Sequence, residues 1–455
     1  MSTILLRNLQ VAPMTANAGE CVTMDLLIEG DRLADAATSD AIPDEILDLR
    51  GHLAIPGLVN THHHLYQTLT RGLPAAQNAE LFEWLTTQYP IWAGLDAEMV
   101  YWSAVCGLSE LALSGCTTAS DMFYVFPKGS DVTLDAVIRA AKDVGIRMHA
   151  GRGSMSLGKS AGGLPPDSVV QDSDAIMADV ERLVAKYHDR GDGAMTRIDL
   201  MPCSPFSVTK AIMAETRDFA RKHGLLLHTH LAETLDEERF CLETMGVRPL
   251  GLLEELDWLG PDVYLAHGIH FTDEEVALLG RTRTGIAHCP SSNMRLGSGI
   301  ARVLELVEAG ARVGLAVDGS SSNDGGSMLA EARQALLLGR MRYGMKYSAH
   351  EALRLATRGG AEVLGRHEIG SIAPGQMADL AIFDLSDVAY AGAGIHDPVA
   401  ALSLCQTTKP RHVFVNGRAI VRDGRLTTLD LEEAVRKHNR LAKKLVDKAA
   451  ATSLA

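Results

Sequence analysis

Short apolar segments alternate with longer amphipathic ones along most of the chain. Eight of the short segments end in polar or small residues: LAIPGLVNTHHH at 53–64, CTTASDM at 116–122, IRMHAGRGSM at 146–155, RIDLMPCSP at 197–205, LLLHTHLAE at 225–233, DVYLAHGIH at 262–270, TGIAHCPSSN at 284–293 and RVGLAVDGSSSND at 312–324. Near-continuous apolar runs of this length predict strands buried on both faces. Between them lie helical patterns such as AEMVYWSAVCGLSELALSG and SDAIMADVERLVAKYHD. Strands alternating with helices predict parallel pairing. Eight repeats predict an α/β fold, a (β/α)8 barrel of the TIM type, with a doubly wound sheet as the alternative.

The two ends of the chain differ from this middle. Residues 1–55 hold short strands and turns (ILLRNLQVA, DLLIEGDRLADA, EILDLRGHLA), and so do residues 370–425. Val415-Asn416-Gly417 and Arg422-Asp423-Gly424 carry hairpin signals. The expected organisation is a small composite β-domain built from residues 1–55 and 370–455, with the barrel, residues 56–369, inserted between its halves. The last helical pattern, LEEAVRKHNRLAKKLVDKAA, is rich in charge and reads as a solvated face.

Composition narrows the function classes. A formal net charge of −14 repels phosphate backbones and argues against nucleic-acid binding. No uninterrupted apolar run is long enough to span a membrane, and the N-terminus lacks the pattern of a secretory signal. The seven cysteines are scattered without CxxC spacing, which fits reduced thiols in a cytoplasm.

The chemistry concentrates at the strand ends, where a barrel of this type carries its active site. Along a strand side chains alternate, so His62 and His64 point one way and His63 the other. Segment five ends in His228, His230 and Glu233, segment six in His267, segment seven in His288 and segment eight in Asp318. His149 lies within a strand body and reads as structural. Neutral imidazoles with one carboxylate suit zinc or iron, and His62, His64, His230 and Asp318 form a set that leaves room for water. Such an ion lowers the pKa of bound water from near 16 to about 7. Glu233, just past its strand, can shuttle a proton, and His267 can orient or deprotonate the water. Taken singly, each residue also has a bland reading: a histidine at a strand end can cap a carbonyl, and Asp318 can cap the next helix.

Together, PGLVNTHHH, HTHLAET, LAHGIH, AHCPSSN and VDGSSSND resemble the amidohydrolase superfamily, in the branch of cytosine, guanine and adenosine-type deaminases and triazine hydrolases. The resemblance spans essentially the whole chain. It implies a metal-dependent aminohydrolase with His62, His64, His230 and Asp318 as ligands, Glu233, His267 and Asp318 in catalysis, and His288 beside the substrate. Some members bridge two metals with a lysine on strand four; here that strand reads Met201-Pro202-Cys203-Ser204, which implies one divalent ion, zinc or iron(II).

Substrate contacts are less legible. Gln67, Arg152 and Ser154 can read carbonyl and nitrogen edges. Trp84 or Tyr66 can stack on a flat ring, though core packing accounts equally well for either aromatic. NTHHHLYQTLTRGLPAAQNAELFEWL, RGSMSLG, GGLPP, PCSPFSVT and HLAETLDEE resemble the 8-oxoguanine deaminases, which implies conversion of an oxidised purine to urate and ammonia. Ser204-Pro205-Phe206 departs from the Pro-Arg-Phe turn of guanine deaminases. Isoxanthopterin or guanine deaminases, triazine amino- or chlorohydrolases, and a non-enzymatic interaction protein are the alternatives. The expected partner is a small heterocycle, with no nucleic acid or membrane, and the expected state is a cytoplasmic homo-oligomer, a dimer.

Overall fold

The computed structural model describes residues 3–15 and 20–453. Eight strands form one sheet in barrel order: Leu58–Asn60, Cys116–Phe123, Arg147–Ser154, Thr196–Pro202, Leu227–Leu231, Val263–His267, Gly285–His288 and Arg312–Leu315. They are called barrel strands one to eight below. Every pairing between them is parallel. All three residues of strand one and all eight in each of strands two and three are buried, as expected when helices cover one face and the barrel interior the other.

The barrel closes where strands eight and one run on past the sheet. Asp318 and Gly319 pair in parallel with His63 and His64. The Asp318 N–H donates to the His62 carbonyl at 3.1 Å, and the Thr61 N–H to the Leu315 carbonyl at 3.1 Å. The eight-strand barrel predicted from periodicity is therefore present, and its seam lies beside the first histidines.

Both chain ends feed a second, mixed sheet with its own core, which includes Leu6, Ile28, Leu380 and Phe414. Its junction is the antiparallel pair His52–Pro56 with Leu380–Asp384. The two predicted hairpins form: Asn416-Gly417 and Asp423-Gly424 join paired strands with positive φ at both central residues, the type I′ geometry that matches strand twist.

One element packs differently from its reading in sequence. The helix Leu431–Ser453 was expected as a solvated face of the β-domain. It packs against the helix Ala97–Ala112 and the turn Leu65–Thr70 on the barrel side, burying Ala434, Leu441 and Leu445. His438 Nε2 lies 3.0 Å from the Thr68 hydroxyl. The charges are on its outer face, as predicted, but its inner stripe covers the segment that follows His64. All seven cysteines are free. No helix among the described residues is long and apolar enough to cross a membrane.

Candidate metal centre and active site

Strands one, five, six and eight carry His62, His64, His230, His267 and Asp318 to one end of the barrel. Two triads, His62–His64–Asp318 and His62–His230–His267, each hold ligand atoms within 4.8 Å of one another. His64 Nδ1 lies 2.8 Å from the Met122 carbonyl, and His230 Nδ1 lies 2.6 Å from the Cys203 carbonyl. Carbonyls only accept, so both rings carry their proton on Nδ1. Their Nε2 atoms, both bare, face each other at 3.0 Å. Asp318 Oδ1 lies 3.5 Å from His64 Nε2 and 3.2 Å from His62 Nε2, which has no hydrogen-bond partner.

Burial pushes His62 and His230 well below the usual imidazole value and lowers His64 too, so protons do not neutralise the cluster. Buried acceptors that face one another are stable when a cation lies between them. Three imidazole nitrogens and one carboxylate are a donor set for a first-row divalent ion. The residues present therefore fit the metal that the sequence implies.

Two backbone positions here are left-handed without being glycine: His267 at φ 73° and Asp318 at φ 63°. Such conformations cost about 1–3 kcal/mol and persist where the surroundings over-determine them. At His267, Asn293 Nδ2 lies 2.9 Å from Nδ1; an amide donor there leaves the ring proton on Nε2. That nitrogen faces Glu233 Oε2 at 3.4 Å and Asp318 Oδ2 at 3.9 Å. Burial lowers His267 to about 4.

Glu233 is buried, and its pKa is raised well above the usual carboxylate range by that burial, then by Asp318 and Glu237. The Ser298 hydroxyl donates to its Oε1 at 3.4 Å. Its backbone is pinned by Glu237, whose carboxylate accepts from the Ala232 and Glu233 N–H groups at 3.0 and 2.9 Å.

A narrow cavity lies between side chains that include His64, His230, Glu233, His267 and Asp318. Gln67, Trp84, Leu81, Tyr89, Tyr124, Cys203, Ser204 and Phe206 wall it. Gln67 packs over Gly319, where a Cβ would sit 1.9 Å from its Oε1; only glycine leaves that space. Gln67 Oε1 is buried without a partner. The Trp84 indole N–H donates to the Ser321 carbonyl at 3.2 Å, so it is oriented as well as buried.

Two predicted substrate contacts are not among the side chains that wall this cavity. Arg152 does not line this cavity. Its guanidinium bonds Asp179 at 2.6 Å and Gln171 at 2.9 Å and stacks over Phe126, because a buried cation takes the nearest carboxylate. His288 is buried with Nδ1 unpartnered but is not part of the cavity wall. Tyr66 packs among Trp92, Phe123 and Tyr124, and His149 bonds Asp199 as a structural residue would. Sequence reasoning did not assign Asn293, Ser298 or Glu237 to the site. Only Glu237 had a local signal, the capping pattern Thr234-x-x-Glu237.

The chain matches the amidohydrolase family over residues 53–420. It is 48% identical over 451 residues to 8-oxoguanine deaminase of Pseudomonas aeruginosa, covering 98% of this chain and 100% of that one. It is 35% identical to an isoxanthopterin deaminase from an unknown prokaryotic organism, covering 93% and 92%. Among solved structures it resembles the zinc complex of atrazine chlorohydrolase from Arthrobacter aurescens, with a TM-score of 0.92 and 34% identity over 96% of this chain and all of that one. With its barrel, its converging histidines and a family match over most of its length, the chain belongs to the amidohydrolase family, whose members are metal-dependent hydrolases and deaminases.

Proposed function

We propose that the chain deaminates 8-oxoguanine, taking up water and releasing urate and ammonia. His62, His64, His230 and Asp318 hold one divalent ion, read as zinc because a solved structure of the same fold is a zinc complex. The observation that carries the reading is the convergence of bare imidazole nitrogens and a carboxylate in the same cavity as a buried glutamic acid with a raised pKa. The near-full-length likeness to an 8-oxoguanine deaminase supports the substrate. Pro205 in Ser204-Pro205-Phe206 stands where the Pro-Arg-Phe turn of a guanine deaminase has its arginine.

The bound ion supplies Lewis acidity, which makes water nucleophilic near neutral pH. The chain's own residues do the rest. Gln67 and the aromatic wall hold a flat bicycle with its amidine carbon toward His230 and Asp318. His267, with its proton on Nε2, orients the attacking oxygen. Glu233 takes the proton that water gives up and passes it to the ring nitrogen beside the amine. A carboxyl with a raised pKa suits that exchange near neutral pH. Oxygen bonds to the ring carbon, its remaining proton passes by way of Glu233 to the exocyclic amine, and the C–N bond breaks to release ammonia as the carbonyl forms.

The test is ammonia release from 8-oxoguanine, guanine, isoxanthopterin and an aminotriazine, with urate followed for the first. 8-Oxoguanine should give the highest kcat/KM. A site built to pair with a polar group can reject an analogue lacking it by about 10⁴–10⁵-fold. Guanine turned over as efficiently, or isoxanthopterin preferred, would overturn the substrate and leave the metal-dependent chemistry standing.

A further inference from the structure

The three histidines around the centre do not receive their orientation in the same way. His64 and His230 each give Nδ1–H to a main-chain carbonyl. His62 does not. Its Nδ1 lies 2.8 Å from Nε2 of His228, and His228 Nδ1 lies 2.7 Å from the Tyr264 carbonyl. That carbonyl can only accept, so the single proton of a neutral His228 sits on Nδ1. Its Nε2 is then a lone pair, and the proton between the two rings belongs to His62 Nδ1. His62 Nε2 is left bare, 3.2 Å from Asp318 Oδ1.

His228 is itself held in place. It is fully buried, and its ring stacks on Tyr264 with centroids 3.9 Å apart and planes at 13°. The Tyr264 hydroxyl is tied to Ser120 at 2.9 Å and donates to Asp199 at 3.2 Å.

We propose that His228 is a positioning residue that extends the acceptor of barrel strand six to His62 and so fixes the tautomer in which His62 Nε2 faces the metal. The proposal rests on the metal reading above and adds a member that does not touch the ion. Partners of this kind fix ring orientation and raise ligand basicity.

The test compares His228→Gln with His228→Leu. The Gln carbonyl reaches the place of Nε2 and still accepts from His62, whereas Leu fills similar volume with no acceptor. Zinc affinity by chelator competition should fall about 10–100-fold in His228→Leu and stay within about fivefold of the parent in His228→Gln. The d–d absorption of the cobalt(II)-substituted protein should change in the Leu variant and match the parent in the Gln variant. If His228→Leu does not fold, His228→Asn replaces it, because its shorter amide cannot reach His62. Leu or Asn at parental affinity, or Gln as weak as Leu, overturns the proposal while the parent still binds zinc. A parent that binds no zinc overturns the metal reading as well.

Discussion

Two buried polar clusters sit in this barrel, and they are satisfied in opposite ways. Toward the start of the strands, His149 bonds Asp199 at 2.9 Å and accepts from Arg366 at 2.9 Å, and Arg366 pairs with Glu368 at 3.0 Å. Nearby, Arg147 bonds both carboxylate oxygens of Asp379, at 2.9 and 3.0 Å, and so ties the barrel to the mixed sheet. Cations and anions alternate there, so the charges are paired without a ligand, although Arg147 Nε and Arg366 Nη2 have no hydrogen-bond partner. At the other end, His62, His64, His230 and Asp318 turn acceptors toward one another, and among the described residues no arginine or lysine forms an ion pair with Asp318. The same residue types, His and Asp, serve both clusters. The difference teaches that burial and residue type do not mark a metal centre; the direction of the protons does.

Removing one residue from each cluster gives the sharpest contrast. His230→Ala should abolish zinc content and turnover while leaving the urea midpoint of the metal-free protein near that of the parent. Asp199→Asn should do the reverse, because it removes a buried carboxylate that accepts from His149 and Tyr264, and hydrogen bonds to charged groups contribute about 1.5–3 kcal/mol each. Its midpoint should fall while the folded protein keeps its zinc. Zinc analysis and urea melts of both variants measure this. Loss of zinc in Asp199→Asn without loss of stability would merge the two clusters into one.

A smaller effect separates holding the ion from moving the proton. Glu233→Gln keeps shape and hydrogen bonding but carries no proton, so kcat should fall about 10²–10⁴-fold with zinc content unchanged. A rate within threefold of the parent would remove Glu233 from the proton path.

The smallest effect lies one residue layer further out. Burial raises Glu237 from 4.5 to about 7. Because the folded value is the higher one, the folded state keeps a proton that the unfolded chain releases. Stability from this group is complete below 4.5 and is lost as pH rises through 7. Gln does not titrate, so the stability of parent minus Glu237→Gln should fall by about 3 kcal/mol between pH 4.5 and 7.5. Urea melts at both pH values check it, and a pH-independent difference would contradict it.

Much of this was legible in the sequence. A period of two placed His62 and His64 on one face, and the position of His230 and Asp318 after apolar runs placed them at strand ends. Asn416-Gly417 and Asp423-Gly424 demanded hairpins because both positions need positive φ. What escaped depends on partners far along the chain. Arg152 reads as a free guanidinium until Asp179 and Gln171 fold against it. His228 looks like one more ligand beside His230 until the Tyr264 carbonyl fixes its proton. The apolar stripe of Ala434, Leu441 and Leu445 was visible at helical spacing, but not the surface it would cover.

The seam of the barrel has a consequence for how the protein is made. Asp318 and Gly319 zip onto His63 and His64 as the last strand meets the first, so the residues that gather the ion come together only when the ring shuts. During synthesis on the ribosome, the first histidines emerge long before their carboxylate partner. A nascent chain that stops short of residue 318 carries the HxH pair but no complete cage. The proposed donor set is therefore complete only once the last strand has paired with the first, and a truncated product should be inert even where it keeps most of its strands.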